Sequence, residues 1–173
     1  VWQPSEHWTH NATLHYTYGY GYYNEFRRAS ALGKKFGLNV YDADGELIES
    51  EAVRHKGLTQ NNYGALYNVS YHDDAWDVIG GLSAQMFRCN HWGYLTYIAN
   101  EEVERQYLTD GGKYKYYDSD ADKNDYSWFV KAAYNFGSGW NAFADMQMRI
   151  VDYTTDGVND KFIKGKKDGR HFY

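Results

Sequence analysis

The sequence from Trp8 to Tyr20, WTHNATLHYTYGY, alternates large and polar side chains with a period of two. Successive side chains of a β-strand point to opposite faces, so this pattern predicts a strand with one apolar and one hydrophilic face. The apolar face carries Trp8, Ala12, Leu14, Tyr16, Tyr18 and Tyr20, and the hydrophilic face carries Thr9, Asn11, Thr13, His15, Thr17 and Gly19.

The same alternation recurs in four further segments. Each of them sets aromatic, aliphatic or small residues of one parity against mostly polar residues of the other parity. The exceptions on the polar side are Leu66, Ile79, Phe87 and Phe129. We therefore predict an all-β fold, an antiparallel up-and-down meander of about five strands. The predicted strands are residues 8–20, 62–72, 76–88, 126–136 and 140–153.

Short and long connections alternate between these strands. Turns are predicted at 72–75 and 137–139, and long loops at 21–60 and 89–124. Within the loops we expect a small hairpin over 38–49 and a short helix over 100–105, and the Lys/Gly-rich stretch Lys161–Arg170 is expected to be a further outer loop. One plain rim and one elaborated rim are typical of outer-membrane barrels, which have short periplasmic turns and long extracellular loops.

Aromatic residues make up 19% of the chain, with 19 Tyr, 8 Phe and 6 Trp, and many lie at strand ends. They resemble the two aromatic girdles of a membrane barrel, and the hydrophilic faces suit a water-filled lumen. The alternative is a soluble β-sandwich, a carbohydrate-binding module that would bury Trp8, Leu14, Val69 and Leu82 between two sheets. The formal net charge of −5 without basic blocks argues against nucleic acid as a partner.

Five strands cannot close a barrel. Single-chain bacterial barrels have an even number of at least about 8 strands, and open edges do not occur in lipid. We therefore expect the 173 residues to be a segment of a larger barrel. This expectation also accounts for an N-terminus that does not look like a signal peptide.

Three groups of residues resemble one known family. They are NATLHYTYGYGYY at 11–23, NNYG at 61–64, and AFADMQ at 142–147 followed by Asp152-Tyr153 and Asp156-Gly157. Together they resemble the barrel of TonB-dependent outer-membrane receptors, in the same order along nearly the whole chain.

The resemblance implies a 22-stranded barrel in the bacterial cell outer membrane, filled by a plug domain. Such receptors import a scarce nutrient, namely a ferric siderophore, haem, cobalamin or an oligosaccharide. The implied partners are outer-membrane lipid, the nutrient, and the TonB complex, which acts through the plug. Residues 1–173 would then be part of the barrel, because the plug, the TonB box and the remaining strands are absent from this sequence.

Two sets of candidate functional residues follow from these predictions. Aromatic side chains at the base of the second long loop either stack on a sugar or chelator or pack beneath the loop; these are His91, Trp92, Tyr94 and Tyr97. The polar parity of the strands predicts that six side chains face the lumen, namely His15, Gln85, Lys131, Asp145, Gln147 and Arg149.

No cofactor, metal site or enzymatic activity is predicted. His7 and His10 are three residues apart, so on a strand they point to opposite faces and cannot share one metal ion. The acidic run that begins at Asp118 resembles the start of a calcium loop, but Lys123 replaces the required Gly and Phe129 the required Glu. We expect it to be a solvated acidic loop. The sequence also has no recognisable pairing of a nucleophile with a base.

Overall fold

A computed structural model describes residues 1–109, 112–159, 161 and 164–173. Within these residues the chain forms six long or medium β-strands and two short α-helices, and each strand follows the previous one across a single sheet. The strands are β1 (Trp8–Ala31), β2 (Glu49–His72), β3 (Trp76–Ile98), β4 (Tyr114–Gly137), β5 (Trp140–Val158) and β6 (Lys164–Phe172), and the helices are α1 (Leu32–Phe36) and α2 (Glu101–Tyr107).

Every neighbouring pair of strands is antiparallel, in the order β1-β2-β3-β4-β5-β6. The predicted all-β meander is therefore confirmed, with six strands instead of five. The sheet is open in the part of the chain that the structure describes, and β1 and β6 form its edges. It is one layer, and side chains that a sandwich would bury are exposed, Leu14 by 84% and Leu82 by 60%.

The predicted strands are correct at their core but too short. All five extend further away from the short turns, so the connections shrink from 21–60 to 32–48 and from 89–124 to 99–113. The acidic run from Asp118 lies within β4, so its prediction as a loop is wrong. Pairing in this region depends on backbone hydrogen bonds, which do not require alternating apolar side chains.

The prediction of a loop over Lys161–Arg170 is also wrong where the structure describes that stretch. Residues from Lys164 onward form β6, with Gly165 opposite Gly157 and Arg170 opposite Asp152; residues 162 and 163 lie outside the described part. The stretch lacks apolar alternation because its side chains are mostly charged, and therefore it gave no strand signal.

Both predicted short turns are confirmed. In the β2–β3 turn, Asp73 accepts hydrogen bonds from the backbone N–H groups of Ala75 at 2.8 Å and Trp76 at 2.6 Å. In the β4–β5 turn, Gly137, Ser138 and Gly139 all have positive φ angles, a backbone conformation that favours glycine. The N-terminal segment makes a similar return, because the backbones of Trp2 and His10 exchange two hydrogen bonds of 2.8 Å beside β1.

The register defines two faces of the sheet. Tyr16 is paired with Tyr63 and Tyr63 with Met86, whereas His15 is paired with Gly64 and Gly64 with Gln85. Directly paired residues share a face. We call the two sides the Tyr16 face and the His15 face.

Residues 32–48 and 99–109, which we call the cap, pack on the His15 face at the end away from the short turns. The expected small hairpin is present, with Tyr41 bridged to Leu47. Helix α2 overlaps the helix expected over 100–105, and Asn100 is its N-cap. Ala52, Leu95 and Ile98 point from the sheet into the cap and are fully buried. The core cluster comprises Leu32, Phe36, Leu38, Ala52, Leu95, Ile98, Val103, Leu108, Tyr116 and Tyr117.

Candidate functional site

The Tyr16 face carries a band of exposed apolar side chains beside the short turns. Trp76 and Tyr134 border it on one side, with ring centroids 4.6 Å apart, and Tyr16 and Tyr63 on the other, 5.1 Å apart. Between these borders lie Trp8, Ala12, Leu14, Ala65, Tyr67, Val69, Val78, Leu82, Ala84, Tyr126, Trp128, Val130, Met146, Met148 and Ile150. We call this surface the apolar band.

The height of the apolar band follows from the strand geometry. Met86, which is paired with Tyr63, lies ten residues beyond Trp76 in β3. Ten residues of antiparallel strand span about 34 Å. If the strands are tilted by about 40°, as in a membrane barrel, the band is about 26 Å tall, close to the roughly 25 Å apolar band of outer-membrane barrels.

One polar side chain within the band is satisfied locally. The His10 ring nitrogen Nδ1 lies 2.7 Å from the Tyr67 hydroxyl. The rings of Trp2 and Trp8 lie 4.9 Å and 6.2 Å from the His10 ring. The imidazole is therefore hydrogen-bonded and flanked by indoles, which lowers the cost of placing it among apolar groups.

From the row of paired residues that contains Tyr16, Tyr63 and Met86 onward, the Tyr16 face becomes polar and charged. Met86 is followed on that face by Arg88 in β3, and Ile150 is followed by Asp152 in β5. Arg88 donates to the Asn124 amide oxygen at 2.7 Å, and Arg170 donates to both carboxylate oxygens of Asp152. The border of the apolar band is therefore sharp, and the same strands continue past it.

The His15 face is mainly hydrophilic along the same length of strand, with apolar exceptions that include Leu66, Ile79, Phe87, Phe129 and Phe143. The structure brings all six residues predicted as lumen-facing to this one face, as the register of β1 to β5 requires; they are His15, Gln85, Lys131, Asp145, Gln147 and Arg149. Its role as the wall of a lumen stays a prediction.

Ion pairs connect the strands on the His15 face. Arg149 donates two hydrogen bonds to Asp125, at 2.9 Å and 2.5 Å, and Lys123 lies 3.4 Å from the same carboxylate. Lys131 lies 3.6 Å from Asp145. Only 14% of the Asp125 side chain is exposed, so the two cations compensate a partly desolvated carboxylate. The sequence analysis did not identify Asp125, although its parity in β4 places it on this face.

Glycines on the sheet allow rings to lie against the backbone. A Cβ atom at Gly64 would lie 1.8 Å from Cε1 of His15, and one at Gly81 would lie 2.3 Å from Cε1 of Phe129. A side chain at either position would displace the ring that covers it. The ring of Phe129, an aromatic residue on the polar face, therefore packs against the backbone at Gly81.

The four predicted ligand-binding residues do not form one patch. They lie in β3 itself, not at the base of a loop, because β3 continues to Ile98. Trp92, Tyr94 and Tyr97 lie on the Tyr16 face, whereas His91 lies on the His15 face. Tyr97 stays on the Tyr16 face because the pairing of β2 with β3 shifts register at Thr96. Their role in ligand binding stays a prediction.

His91 lines a groove of about 530 Å³ across β3 to β6. Ser119, Thr155 and Lys167 line the same groove, and their parity places them on the His15 face. The Sγ atom of Cys89 lies 3.7 Å from Nε2 of His91. Burial, with a smaller contribution from Asp120, raises the pKa of the Cys89 thiol, so it is protonated at neutral pH.

A cluster of five rings lies on the Tyr16 face beyond the apolar band, and the sequence analysis missed it. The ring centroids of Tyr20 and Trp92 are 6.0 Å apart, those of Trp92 and His55 5.2 Å, those of His55 and Tyr22 4.6 Å, and those of Trp92 and Tyr94 5.5 Å. We call these five residues the ring cluster. Only the register of β1, β2 and β3 brings them together.

The ring cluster is held by hydrogen bonds and by a glycine. Nδ1 of His55 lies 2.6 Å from the Asn24 amide oxygen, and Trp92 lies flat over Gly57, where a Cβ atom would approach the indole to 2.4 Å. Burial, with a smaller contribution from Lys113, lowers the pKa of His55. The imidazole is therefore neutral at pH 7, which allows it to stack between Tyr22 and Trp92 without a charge to solvate.

Charged side chains adjoin the ring cluster. The Lys115 ammonium lies 5.8 Å from the Tyr94 ring centroid and is ion-paired with Asp118. Asn90 donates to both Asp118 at 2.6 Å and Asp120 at 2.8 Å. Burial opposes ionisation of Asp118, but the hydrogen bonds from Lys115 and Asn90 outweigh it and lower the pKa.

Neither a metal centre nor a spanning helix is found in the described part of the chain. No three or more His, Cys, Asp or Glu side chains are arranged there to hold a metal ion. Neither helix in these residues is long and apolar enough to cross a membrane.

Comparison with known proteins identifies no family for this chain. No protein-family model matches the sequence, and no curated protein matches it significantly. The resemblance to TonB-dependent receptors therefore depends on the quoted residues alone, and the geometry of the two faces is independent of it.

Proposed function

We propose that this chain is part of the transmembrane β-barrel of a bacterial outer-membrane receptor of the TonB-dependent kind, which imports a scarce nutrient. The observation that supports this most strongly is the apolar band, about 26 Å tall by strand geometry and bordered by the rings of Trp76 and Tyr134 on one side and Tyr16 and Tyr63 on the other. A surface of this height and composition is suited to the hydrocarbon layer of a membrane.

The edges of the sheet support a larger barrel. Within the apolar band the open edges are β1 and the part of β5 before Arg149, because β6 pairs only with Ile150 to Val158. In lipid, the unpaired backbone groups of these two edges would each cost several kcal/mol. Further strands on both sides would satisfy these groups, and the family resemblance suggests 22 in total. The antiparallel bridge between Trp2 and His10 lies on the free side of β1, where such a neighbouring strand would be.

The His15 face fits the inside of such a barrel. Its ion pairs among Lys123, Asp125 and Arg149 and between Lys131 and Asp145 are compatible with water and with a polar plug. In this proposal the plug contacts these side chains and transmits energy from the TonB complex. No catalytic role is assigned to any residue.

The cap fits the outer side of the receptor, where nutrient arrives. It leans over the His15 face, at the opposite end of the strands from the short turns. The groove beside His91 then opens toward the lumen. The transported nutrient is a ferric siderophore, haem, cobalamin or an oligosaccharide, the substrate classes that the resemblance implies.

The soluble carbohydrate-binding sandwich is disfavoured. It required Leu14 and Leu82 to be buried between two sheets, and both are more than half exposed on a single sheet. In water such a surface would be an exposed apolar patch much larger than those of ordinary soluble proteins.

Labelling of single cysteines on intact cells tests the proposal. Asp44→Cys in the cap hairpin and Asp74→Cys in the β2–β3 turn introduce exposed thiols at opposite ends of the strands. The native Cys89 is buried and protonated, so it should react slowly. We expect a membrane-impermeant maleimide to label Asp44→Cys at once and Asp74→Cys only after permeabilisation. The reverse order would invert the topology, and labelling of both in a soluble fraction would support the sandwich.

A further inference from the structure

The ring cluster lies at a defined height above the apolar band. Tyr20 is four residues beyond Tyr16 in β1, and Trp92 is six residues beyond Met86 in β3. At about 3.4 Å per residue and a tilt of about 40°, the rings lie roughly 10 to 16 Å above the border of the band. The headgroup layer of an ordinary phospholipid leaflet adds only about 5 to 8 Å to the hydrocarbon core. Phospholipid headgroups therefore do not reach these rings.

The cluster presents aromatic faces to its surroundings. It spans three strands, and Tyr20 and Tyr22 at its margin remain 53% and 58% exposed. Its side of the sheet is the one that carries the apolar band, so the rings point away from the His15 face. A nutrient in the lumen would not meet them.

The side chains beside the cluster suit hydroxyl groups better than phosphate. On the Tyr16 face of β4, β5 and β6 at this level, acidic and basic groups are equal in number: Asp118, Asp120 and Asp156 against Lys115, Lys164 and Lys166. Phosphate recognition needs an excess of cations. Alternating carboxylates, ammonium groups and the Asn90 amide instead offer donors and acceptors for neutral polyols.

We propose that the ring cluster binds the sugars of the glycolipid in the outer leaflet around the receptor. This inference depends on the proposed membrane location. The ring cluster lies above the apolar band on the same face of the same strands, so the acyl chains of one glycolipid lie against the band while its sugars stack on Tyr20, Tyr22 and Trp92. It also reassigns Trp92 and Tyr94 from nutrient binding to contact with the surrounding membrane.

The test compares two neighbouring tyrosines in the full-length receptor. Tyr22 belongs to the ring cluster, whereas Tyr23 is equally exposed at 51% but lies on the His15 face. The probes are lipopolysaccharide with a complete core, lipopolysaccharide truncated to lipid A, and the free core oligosaccharide. We expect Tyr22→Ala to weaken binding of the complete lipopolysaccharide by about three- to tenfold, the effect of losing one stacked ring. Tyr23→Ala should leave it unchanged.

Further probes and variants show whether the sugars or the acyl chains of the glycolipid cause a difference in binding. Lipid A should bind both variants equally, and the free oligosaccharide should bind far more weakly than the glycolipid because it lacks the acyl chains. Tyr22→Phe should retain affinity, and Tyr20→Ala repeats the test should Tyr22→Ala fold poorly. Equal affinity of the Tyr22→Ala and Tyr23→Ala receptors for complete lipopolysaccharide would overturn the inference, as would a free oligosaccharide that binds as tightly as the glycolipid. A receptor that does not insert into membranes would instead overturn the proposed function.

Discussion

The cap and the lower part of the sheet lie at opposite ends of the same strands, yet they are packed in opposite ways. In the cap, Leu32, Phe36 and Val103 are almost completely buried in one cluster. In the part of the sheet between the short turns and Tyr16, which we call the wall, side chains as large as Leu14 and Leu82 are mostly exposed. The buried hydrophobic residues among those described all lie beyond the wall.

This contrast indicates two sources of stability. The cap buries apolar area within the chain, so the hydrophobic effect stabilises it in water. The wall offers the same kind of side chain to its surroundings, so its stability depends on what surrounds it. Substitutions in the two regions should therefore respond differently to a membrane, and the following predictions use that difference.

The largest effect is expected from Phe36→Ala in the cap. Phe36 is 2% exposed and contacts Tyr116 edge-to-face at 5.1 Å between centroids. Removing a buried phenyl ring costs about 3–5 kcal/mol, and the loss should be the same in detergent and in membranes. Hydrogen exchange over residues 32–48 and 99–109 measures it. Phe26→Ala, at a site that is 56% exposed, is the control; an equal loss of protection there would contradict the proposed cap core.

A second prediction concerns the wall. Leu82→Arg places a charge near the middle of the apolar band. It should make the free energy of membrane insertion less favourable by about 2–4 kcal/mol. Ser83→Arg, one residue along β3 on the His15 face, should insert normally. Ala144→Arg lies next to the Trp76 border, so it should cost only about 0–1 kcal/mol. Insertion into vesicles, measured by the shift of folded barrel on unheated gels, ranks the three variants; equal insertion of Leu82→Arg and Ser83→Arg would refute the assignment of the faces.

The wall was predictable from sequence because one of its faces is mainly apolar and the other mainly polar. That difference forces apolar and polar side chains to alternate, and the alternation located the five strands and both short turns. In the acidic run from Asp118, beyond the wall, both faces of β4 are mostly polar, and the alternation disappears although the backbone ladder continues. The sequence of β6 also lacks alternating apolar residues, and therefore β6 was predicted as a loop.

The candidate sites show the same limit. Parity within single strands was enough to place His15, Gln85 and Arg149 on one face. Parity also separates His91 from Trp92, a distinction that the predicted aromatic patch overlooked. The ring cluster needed more, because Tyr20 meets Trp92 across two strand pairings, and no local pattern encodes that register.

A smaller effect is expected on the His15 face of the wall. Arg149→Leu removes two hydrogen bonds to Asp125, but Lys123 remains beside that carboxylate. Because Arg149 is half exposed, we expect only a small loss of stability and unchanged insertion. Nutrient uptake should fall if the pair contacts a plug. The double variant Asp125→Leu/Arg149→Leu is the control for charge imbalance. Better insertion of Arg149→Leu than of the native chain would show instead that this side chain faces lipid.

The smallest expected effect is local and lies in the β2–β3 turn. The hydrogen bond from the Tyr71 hydroxyl, followed by those from the Trp76 and Ala75 backbone, lowers the pKa of Asp73 from 3.8 to about 2. A carboxylate whose pKa falls on folding stabilises the fold above its ordinary pKa, and the contribution is lost as the pH falls through the folded value. The turn should therefore remain fully ordered at pH 5 and loosen between about pH 4 and 2.

Carboxyl carbon chemical shifts of Asp73, together with amide exchange at Ala75 and Trp76, follow this transition. Asp73→Asn keeps an oxygen acceptor but removes the titration, so its turn should exchange faster at neutral pH and show little change with acid. Asp74→Asn, at the neighbouring exposed position, should behave like the native chain because none of the hydrogen bonds of the turn uses its side chain among those described. A titration midpoint near 4 in the native turn would mean that the hydrogen bonds to Asp73 do not stabilise the β2–β3 turn. The backbone hydrogen bonds between β2 and β3 would then be sufficient to hold it.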